Sequence, residues 1–168
     1  SLNDVVELSE NIVTHNQEQN ENKYKVKIPV CYDKEFALDW DVVSDFTGLN
    51  WEEVIEIHFR NKYLVYMLGF IPGFVYLGGL NEQIRVPRKL SPRLKAPKGA
   101  VGLADNQTGI YPLETPGGWQ LIGNTPVELI GIKKGVIEMG DYLEFFPITK
   151  KQHTFYSKQI ERILIDET

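Results

Sequence analysis

Cysteine, long apolar runs and an excess of positive charge are scarce or missing in this sequence. One cysteine, Cys31, among 168 residues excludes an intramolecular disulfide and a metal site built from several cysteines, and it fits a reducing cytoplasm. No apolar run reaches the ~20 residues that a membrane-spanning helix requires. The net charge of −5 gives no general attraction to nucleic acid or to an anionic membrane. We therefore expect a cytoplasmic protein that binds neither nucleic acids nor membranes.

The motifs of several common catalytic sites are also missing. The sequence contains no GxxxxGK[ST] phosphate loop, no GxGxxG after a predicted strand, no HExxH and no GxSxG. Cys31 has no histidine near it in the sequence, so no nucleophile and base can be paired from the sequence alone. We expect the chain by itself to bind no metal and no nucleotide cofactor.

The N-terminal residues are predicted to be separate from the main domain. Apolar side chains at helical spacing predict a short amphipathic helix over residues 4–15, and a polar stretch typical of a linker follows it. The alternation of apolar and charged residues over 24–30 then predicts a half-buried strand. Because the sequence has no initiator Met, we expect that a further region lies upstream, and the change of pattern predicts a domain boundary near residue 22. Residues 23–168 are expected to form the main domain.

Two short helices are predicted between about residues 36 and 59. The first has its predicted buried face at Leu38, Val42, Val43 and Phe46, and Gly48 can end it. The second is predicted to begin after Asn50, with Glu53 at the third helical position as in a capping box. His58 falls in its last turn, either as a helix-end residue that the helix dipole favours or as a functional group.

Short strands are predicted over most of the remaining chain. They are expected at 63–68, 99–104, 108–112, 118–123, 127–132 and 142–146, with turn residues between them. Short strands at close spacing predict an antiparallel barrel or sandwich. The tail from Gln152 to Ile165 fits either a strand or a helix.

A repeated pair of residues could recognise an anion. Proline followed by a base recurs every five residues, at Pro87-Arg88, Pro92-Arg93 and Pro97-Lys98. Proline stiffens the backbone, and a guanidinium group fixes a carboxylate with two hydrogen bonds. The alternative is a protected sheet edge, where proline and positive charge prevent the addition of a further strand.

Two glycine-rich segments could form a pocket wall. In Gly117-Gly118-Trp119-Gln120, two glycines allow the backbone to approach a ligand closely, next to an indole and an amide side chain. The segment from Gly69 to Leu77 carries the aromatic residues Phe70, Phe74 and Tyr76. The alternatives are a tight turn with a core tryptophan for the first segment and barrel core for the second.

Three long stretches of the sequence resemble a known family. They read HFRNKYLVYMLGFIPGFVYLGGL, VPRKLSPRLKAPKGAVGLA and TGIYPLETPGGWQLIGNTP. Together they resemble the family of the 5-oxoprolinase B subunit, allophanate hydrolase subunit 1 and the sporulation-kinase inhibitor KipI, over about residues 26–148. The resemblance implies a mainly β fold, namely a cyclophilin-like antiparallel β-barrel with two short helices. A smaller α/β domain would precede it, and residues 1–22 would be the last helix of that domain and the linker after it.

The resemblance also implies a function within a multi-subunit enzyme. Such proteins act with a homologous, larger C subunit and with an A subunit in the ATP-dependent hydrolysis of 5-oxoproline to glutamate, and the chain is expected to be inactive alone. The implied catalytic residue is His58. The implied substrate-binding residues are Tyr63, Phe70, Pro72, Gly73, Phe74, Arg88, Arg93, Gly118, Trp119 and Gln120.

Two other functions remain open within the same resemblance. One is that of an allophanate hydrolase-type subunit. The other is that of a KipI-like binding module that inhibits a histidine kinase, in which exposed aromatic side chains would be the anchors.

Overall fold

The secondary structure consists mostly of short strands. A computed structural model describes residues 13–14, 25–129 and 137–166 of the chain. The strands in this part are β1 (Val13–Thr14), β2 (Lys25–Val30), β3 (Lys62–Leu68), β4 (Val75–Gly78), β5 (Arg93–Ala96), β6 (Ala100–Ala104), β7 (Gln107–Ile110), β8 (Thr115–Gly117), β9 (Gln120–Asn124) and β10 (Tyr142–Pro147). The helices are α1 (Trp40–Thr47), α2 (Trp51–Arg60) and α3 (Lys150–Asp166), with a 3₁₀ turn at Glu82–Ile84.

The main sheet curls into a nearly closed barrel. Its strand order is β1-β2-β10-β3-β4-β7-β6-β9, and all pairs are antiparallel except β2 with β10. The barrel closes where Cys31, just after β2, pairs with Asn124 at the end of β9. The Cys31 N–H donates to the Asn124 carbonyl at 2.8 Å, and the Asn124 N–H donates back at 3.0 Å. The predicted mainly β barrel with two short helices is confirmed.

The two faces of the sheet bury different sets of side chains. On β4 and β7, Val75, Leu77 and Ile110 point into the barrel, whereas Tyr76 lies on the outer face. This alternation is the ordinary period of two along a strand. The outer face of this part of the sheet is covered by a small ribbon in which β5 pairs with β8. The chain therefore has a main core inside the barrel and a second, aromatic core between the barrel and the ribbon.

The predicted helices form where their capping signals lie. The Asn50 side chain accepts from the Glu53 N–H at 2.9 Å and the Glu53 carboxylate accepts from the Asn50 N–H at 2.9 Å, so the capping box of α2 is complete. Gly48 ends α1 in the left-handed conformation with φ +72°. The predicted buried face of α1 is wrong, however, because only Val43 is buried and the other three apolar side chains are exposed.

Other differences lie near the ends of the chain. Val13 and Thr14 pair with β2, so they do not end a helix as predicted; residues 4–12 of that helix and the boundary near residue 22 lie outside the described residues. Val127–Leu129 is not a strand, and residues 130–132 of that prediction are not described. The ambiguous tail is helical. No helix among the described residues is long and apolar enough to cross a membrane.

Candidate functional site: an aromatic groove beside a basic segment

An open groove of about 350 Å³ lies on the outer face of the barrel, beside the β5–β8 ribbon. We call it the aromatic groove. It is lined by Phe70, Phe74, Tyr76, Arg88, Pro92, Tyr111, Pro116, Gly117, Gly118 and Trp119. The groove has the size of a small-molecule site, and most of its lining is aromatic or proline.

Phe74 is the centre of the aromatic lining. Its ring meets those of Tyr111 and Trp119 edge to face, with centroids 5.1 Å and 5.5 Å away and interplanar angles of 90° and 84°. Edge-to-face contacts place the positive edge of one ring on the negative face of another, which holds each ring in a defined orientation. Tyr76 packs against Phe74 with a centroid distance of 4.6 Å.

Glycines make room for two of these rings. A Cβ atom on Gly109 would lie 2.8 Å from the indole of Trp119, and one on Gly102 would lie 3.0 Å from the Trp119 Cβ. A Cβ atom on Gly117 would lie 2.3 Å from the Tyr111 hydroxyl. These three glycines are therefore required by the close approach of aromatic side chains to the backbone.

A tight turn carries Phe70 to the open side of the groove. Phe70 has φ +71°, which is unusual for a bulky residue, and Gly73 has φ +82°. The Gly69 N–H donates to the Phe74 carbonyl at 3.3 Å, and the Phe74 N–H donates to the Ile71 carbonyl at 3.1 Å. Phe70 is 66% exposed, whereas Phe74 is buried. Pro72 and Gly73 shape this turn and are exposed, but they do not line the groove.

Arg88 supplies positive charge to the groove. Its guanidinium carbon lies 5.8 Å from the centroid of the Trp119 ring, within the range of a cation–π contact. Its Nε lies 3.4 Å from Asp105 Oδ2 in an exposed ion pair. Exposed pairs contribute little free energy, about 0–1 kcal/mol, so an incoming anion can compete with Asp105 for this arginine.

Arg93 is held by the protein itself. Arg93 Nη2 and Lys89 Nζ both contact the carboxylate of Asp39, Lys89 at 2.9 Å. Gln120 is also engaged, because its Nε2 donates to the Pro87 carbonyl at 3.0 Å. Arg93 and Gln120 do not line the groove, and their contacts hold the segment that carries Arg88.

His58 and Tyr63 lie in the main core, on the other side of the sheet. The Tyr32 hydroxyl is 2.7 Å from His58 Nδ1, and Thr108 Oγ1 is 3.0 Å from Nε2. Because Thr108 donates its own hydrogen to the Gly102 carbonyl, Nε2–H is the donor and Tyr32 donates to Nδ1. The Tyr63 hydroxyl donates to the His58 carbonyl at 2.7 Å.

Burial lowers the pKa of His58 to about 3, so the ring is neutral at ordinary pH. Thr108, the partner of His58, points into the barrel, whereas the next residue, Gly109, faces Trp119 on the outer face. The sheet therefore separates His58 from the groove. A catalytic role for His58 stays a prediction, and the geometry offers it no direct contact with a ligand in the groove.

Sequence patterns indicated most of this lining but not all of it. The groove brings together the predicted Phe70, Phe74, Arg88, Gly118 and Trp119. Tyr111 was missed, although it directly follows β7 and stands two residues after Gly109, at the spacing of one face of a strand. Burial raises the pKa of the Tyr111 hydroxyl, whereas a hydrogen bond from the Trp119 backbone lowers it. Asp39 was missed because its partners lie ~50 residues away.

The family model described as Carboxyltransferase domain, subdomain C and D, matches residues 1–135. The chain belongs to this family. The 5-oxoprolinase B subunit of Bacillus subtilis is 47% identical over 141 residues, which are 82% of this chain and 59% of that protein. The predicted membership in the family of the 5-oxoprolinase B subunit is thereby confirmed. The chain spans less than two thirds of the length of this relative.

Two solved structures share the fold of this chain. A conserved uncharacterized protein from Pyrococcus horikoshii is 46% identical, with a TM-score of 0.73 over 77% of this chain and 61% of that one. The K. lactis urea amidolyase is 21% identical, with a TM-score of 0.67 over 78% of this chain and 10% of the other. At that identity the second likeness shows the fold alone.

Proposed function

We propose that this chain is part of the B subunit of an ATP-dependent 5-oxoprolinase complex in the cytoplasm, which hydrolyses 5-oxo-L-proline to L-glutamate. The aromatic groove would contribute part of a composite substrate site. The name of the Bacillus subtilis relative supports the complex. The observation that carries the site is an apolar groove with one arginine, Arg88, in its lining. Such a groove suits a small ring that bears a carboxylate.

Within this groove, Arg88 is the anion-binding residue that we favour over Arg93. Arg88 lines the groove and forms its ion pair with the exposed Asp105, whereas Arg93 is bound to the buried Asp39. The substrate ring would pack against Phe70 and Trp119, which both line the groove, with its carboxylate at the guanidinium. Planar, paired donors make this role specific to arginine.

The remaining chemistry is assigned to the rest of the complex. Hydrolysis of an unstrained lactam is unfavourable, so the complex uses ATP, and this chain by itself is proposed to be inactive. The groove lining contains no nucleophile with an adjacent base and, among the described residues, no group of three or more metal-binding side chains occurs. The proposed partners are the A subunit and the homologous, larger C subunit, which would close the groove from its open side.

Reconstitution tests this proposal. ATP-dependent release of glutamate from 5-oxo-L-proline is measured with the full-length protein and its A and C partners, and each component is omitted in turn. We expect activity only in the full mixture. Arg88→Lys should raise KM by about 10-fold or more, because lysine cannot replace both hydrogen bonds of the guanidinium and one charge-assisted hydrogen bond is lost. Arg85→Lys, an exposed arginine outside the groove, should leave KM unchanged. Full activity without this protein would overturn the proposal.

A second candidate function is that of a KipI-like binding module. The specific observation is that large apolar side chains around the groove and ribbon are exposed, namely Phe70, Leu90 and Leu94. Exposed anchors of this kind are typical of protein-binding surfaces. An inactive mixture in the reconstitution, together with binding to a histidine kinase that Phe70→Ala abolishes, would favour this function. Activity on allophanate instead of 5-oxoproline would favour the allophanate hydrolase type.

A further inference from the structure

We propose that Asp39 is a positioning residue for the aromatic groove, because its carboxylate fixes the basic segment of residues 87–93 against β9. Asp39 is only 5% exposed. Its Oδ1 accepts from Lys89 Nζ at 2.9 Å, and its Oδ2 accepts from Arg93 Nη2 and from the Leu121 N–H, the latter at 2.7 Å. A single buried carboxylate thus joins the basic segment to the strand that follows Trp119.

The position of Asp39 in the fold supports a role beyond helix capping. Asp39 is the N-cap residue of α1, where an aspartate usually accepts from the backbone N–H two or three residues later. Its side chain makes no such bond. The carboxylate is directed to Lys89, Arg93 and Leu121 instead. The backbone remains helical, since the Val43 N–H donates to the Asp39 carbonyl at 3.0 Å.

The segment that Asp39 holds forms one wall of the groove. Arg88 and Pro92, which lie on either side of Lys89 in the segment, both line the groove. The Lys89 N–H donates to the Gly118 carbonyl at 2.7 Å, which ties the same segment to the residue before Trp119. If the carboxylate loses its charge, two cations lose their buried partner and this wall is released toward solvent. The Arg88 guanidinium then has no fixed place over Trp119.

Trypsin can report on this attachment without any ligand. The segment contains three trypsin sites, after Arg88, Lys89 and Arg93, and mass spectrometry can map each cut. Under native conditions we expect Asp39→Asn in the full-length protein to increase cleavage after Lys89 and Arg93 by about 10-fold, because local opening exposes these bonds. Cleavage elsewhere in the chain should be unchanged.

The matched control removes a different carboxylate that pairs with a lysine. Glu128→Gln breaks the pair of Glu128 with Lys98, which lies outside the segment, and should leave cleavage after Lys89 at the wild-type rate. If Asp39→Asn does not fold, Lys89→Gln removes one of the two cations and should still increase cleavage after Arg93. Wild-type rates in the segment, or an equal increase along the whole chain, would overturn the proposal.

A second measurement uses 5-oxo-L-proline and rests on the proposed function. Calorimetric titration of the full-length protein assembled with its A and C partners should show about 10-fold weaker binding for Asp39→Asn and unchanged binding for Glu128→Gln. Wild-type protein that binds no 5-oxo-L-proline would count against the proposed function, while the cleavage pattern would still decide the role of Asp39. Wild-type affinity in Asp39→Asn would overturn the positioning role.

Discussion

At the scale of single residues, Arg88 has a partner that a ligand can replace. Asp105 holds the Arg88 guanidinium from outside the groove, and both side chains are more than half exposed. Asp105 has φ +55°, a conformation that asparagine also tolerates. The charge of Asp105 can therefore be removed without a change in the turn.

We expect Asp105→Asn to strengthen the binding of 5-oxo-L-proline. The carboxylate of the ligand would no longer compete with Asp105 for Arg88, and an exposed pair of ~0.5–1 kcal/mol corresponds to about two- to five-fold in affinity. Calorimetric titration measures the change. Glu114→Gln, which removes the partner of Lys95, is the control and should have no effect. Weaker binding by Asp105→Asn would argue against Arg88 as the anion site.

His58 makes folding sensitive to acid. Burial lowers its pKa from 6.5 to about 3 in the folded state. On acidification, His58 is therefore protonated near pH 6.5 in the unfolded chain but stays neutral down to about pH 3 in the folded chain. The free energy of unfolding is then expected to fall as the pH drops from about 6.5 toward 3, by up to ~1.4 kcal/mol per pH unit.

Urea unfolding at several pH values between 4 and 7.5 would measure this slope. His58→Gln removes the titrating group, so its free energy of unfolding should fall less steeply on acidification than that of the wild type, even if the variant is less stable overall. His153, whose pKa burial also lowers, remains in both proteins and cancels in the comparison. Equal slopes would show that His58 is not the group responsible.

At the scale of elements, the β5–β8 ribbon depends on one of two adjacent glycines. A Cβ atom on Gly117 would lie within 2.9 Å of three atoms of Tyr111, whose ring is buried among Phe74 and Trp119. A Cβ atom on Gly118 would meet nothing closer than 3.8 Å. The two positions are neighbours, so one is a matched control for the other.

We expect Gly117→Ala to lower the free energy of unfolding by ~1–3 kcal/mol, the usual effect of an overpacked site. Gly118→Ala should stay within ~0.5 kcal/mol of the wild type. Thermal and urea unfolding compare the two variants. A Gly117→Ala protein as stable as Gly118→Ala would mean that Tyr111 can move aside and that the aromatic core is not closely packed.

Local signals were sufficient for some elements and not for others. The capping box at Asn50 and Glu53 and the left-handed Gly48 involve neighbours within a few residues, so the sequence predicted both helices. The buried face of α1 could not be predicted, because apolar side chains at helical spacing show that a face exists but not which neighbour covers it. Val42 and Phe46 have no cover among the described residues.

At the scale of the whole molecule, the barrel closes at one narrow point. A Cβ atom on Gly123 would lie 2.8 Å from the Cys31 carbonyl oxygen and 2.8 Å from Val30 Cγ1. The two backbone hydrogen bonds between Cys31 and Asn124 join the end of β2 to the end of β9 at this place. The side chain of Asn124 extends the closure, since His153 Nε2 of α3 lies 2.8 Å from its Oδ1.

Gly123→Ala should therefore weaken the whole barrel. We expect a loss of ~2–4 kcal/mol in the free energy of unfolding, since the added methyl group displaces backbone on both sides of the closure. Hydrogen exchange should become faster at the amides of Cys31 and Asn124. Gly69→Ala, where a Cβ atom meets nothing within 4 Å, is the control. Wild-type stability in Gly123→Ala would show that the closure contributes little.

The family, the two capped helices and most of the strands follow from the sequence alone. These predictions rest on patterns between residues that are close in the sequence. The patterns are the capping residues, the period of two along the strands and the three long family-like stretches. The sequence also indicated the residue types of the groove, because glycine, proline and aromatic residues cluster between residues 58 and 126.

Which of these residues come into contact depends on the folded chain and not on the sequence pattern. The sheet divides His58 and Tyr63 from Phe74 and Trp119, although all four lie in family-like stretches, because side chains on opposite faces of a sheet cannot share a site. Arg88 and Arg93 each follow a proline. Asp39, 54 residues before Arg93 in the sequence, binds Arg93, whereas Arg88 lines the groove. Such choices depend on contacts between distant residues, which a linear pattern does not contain.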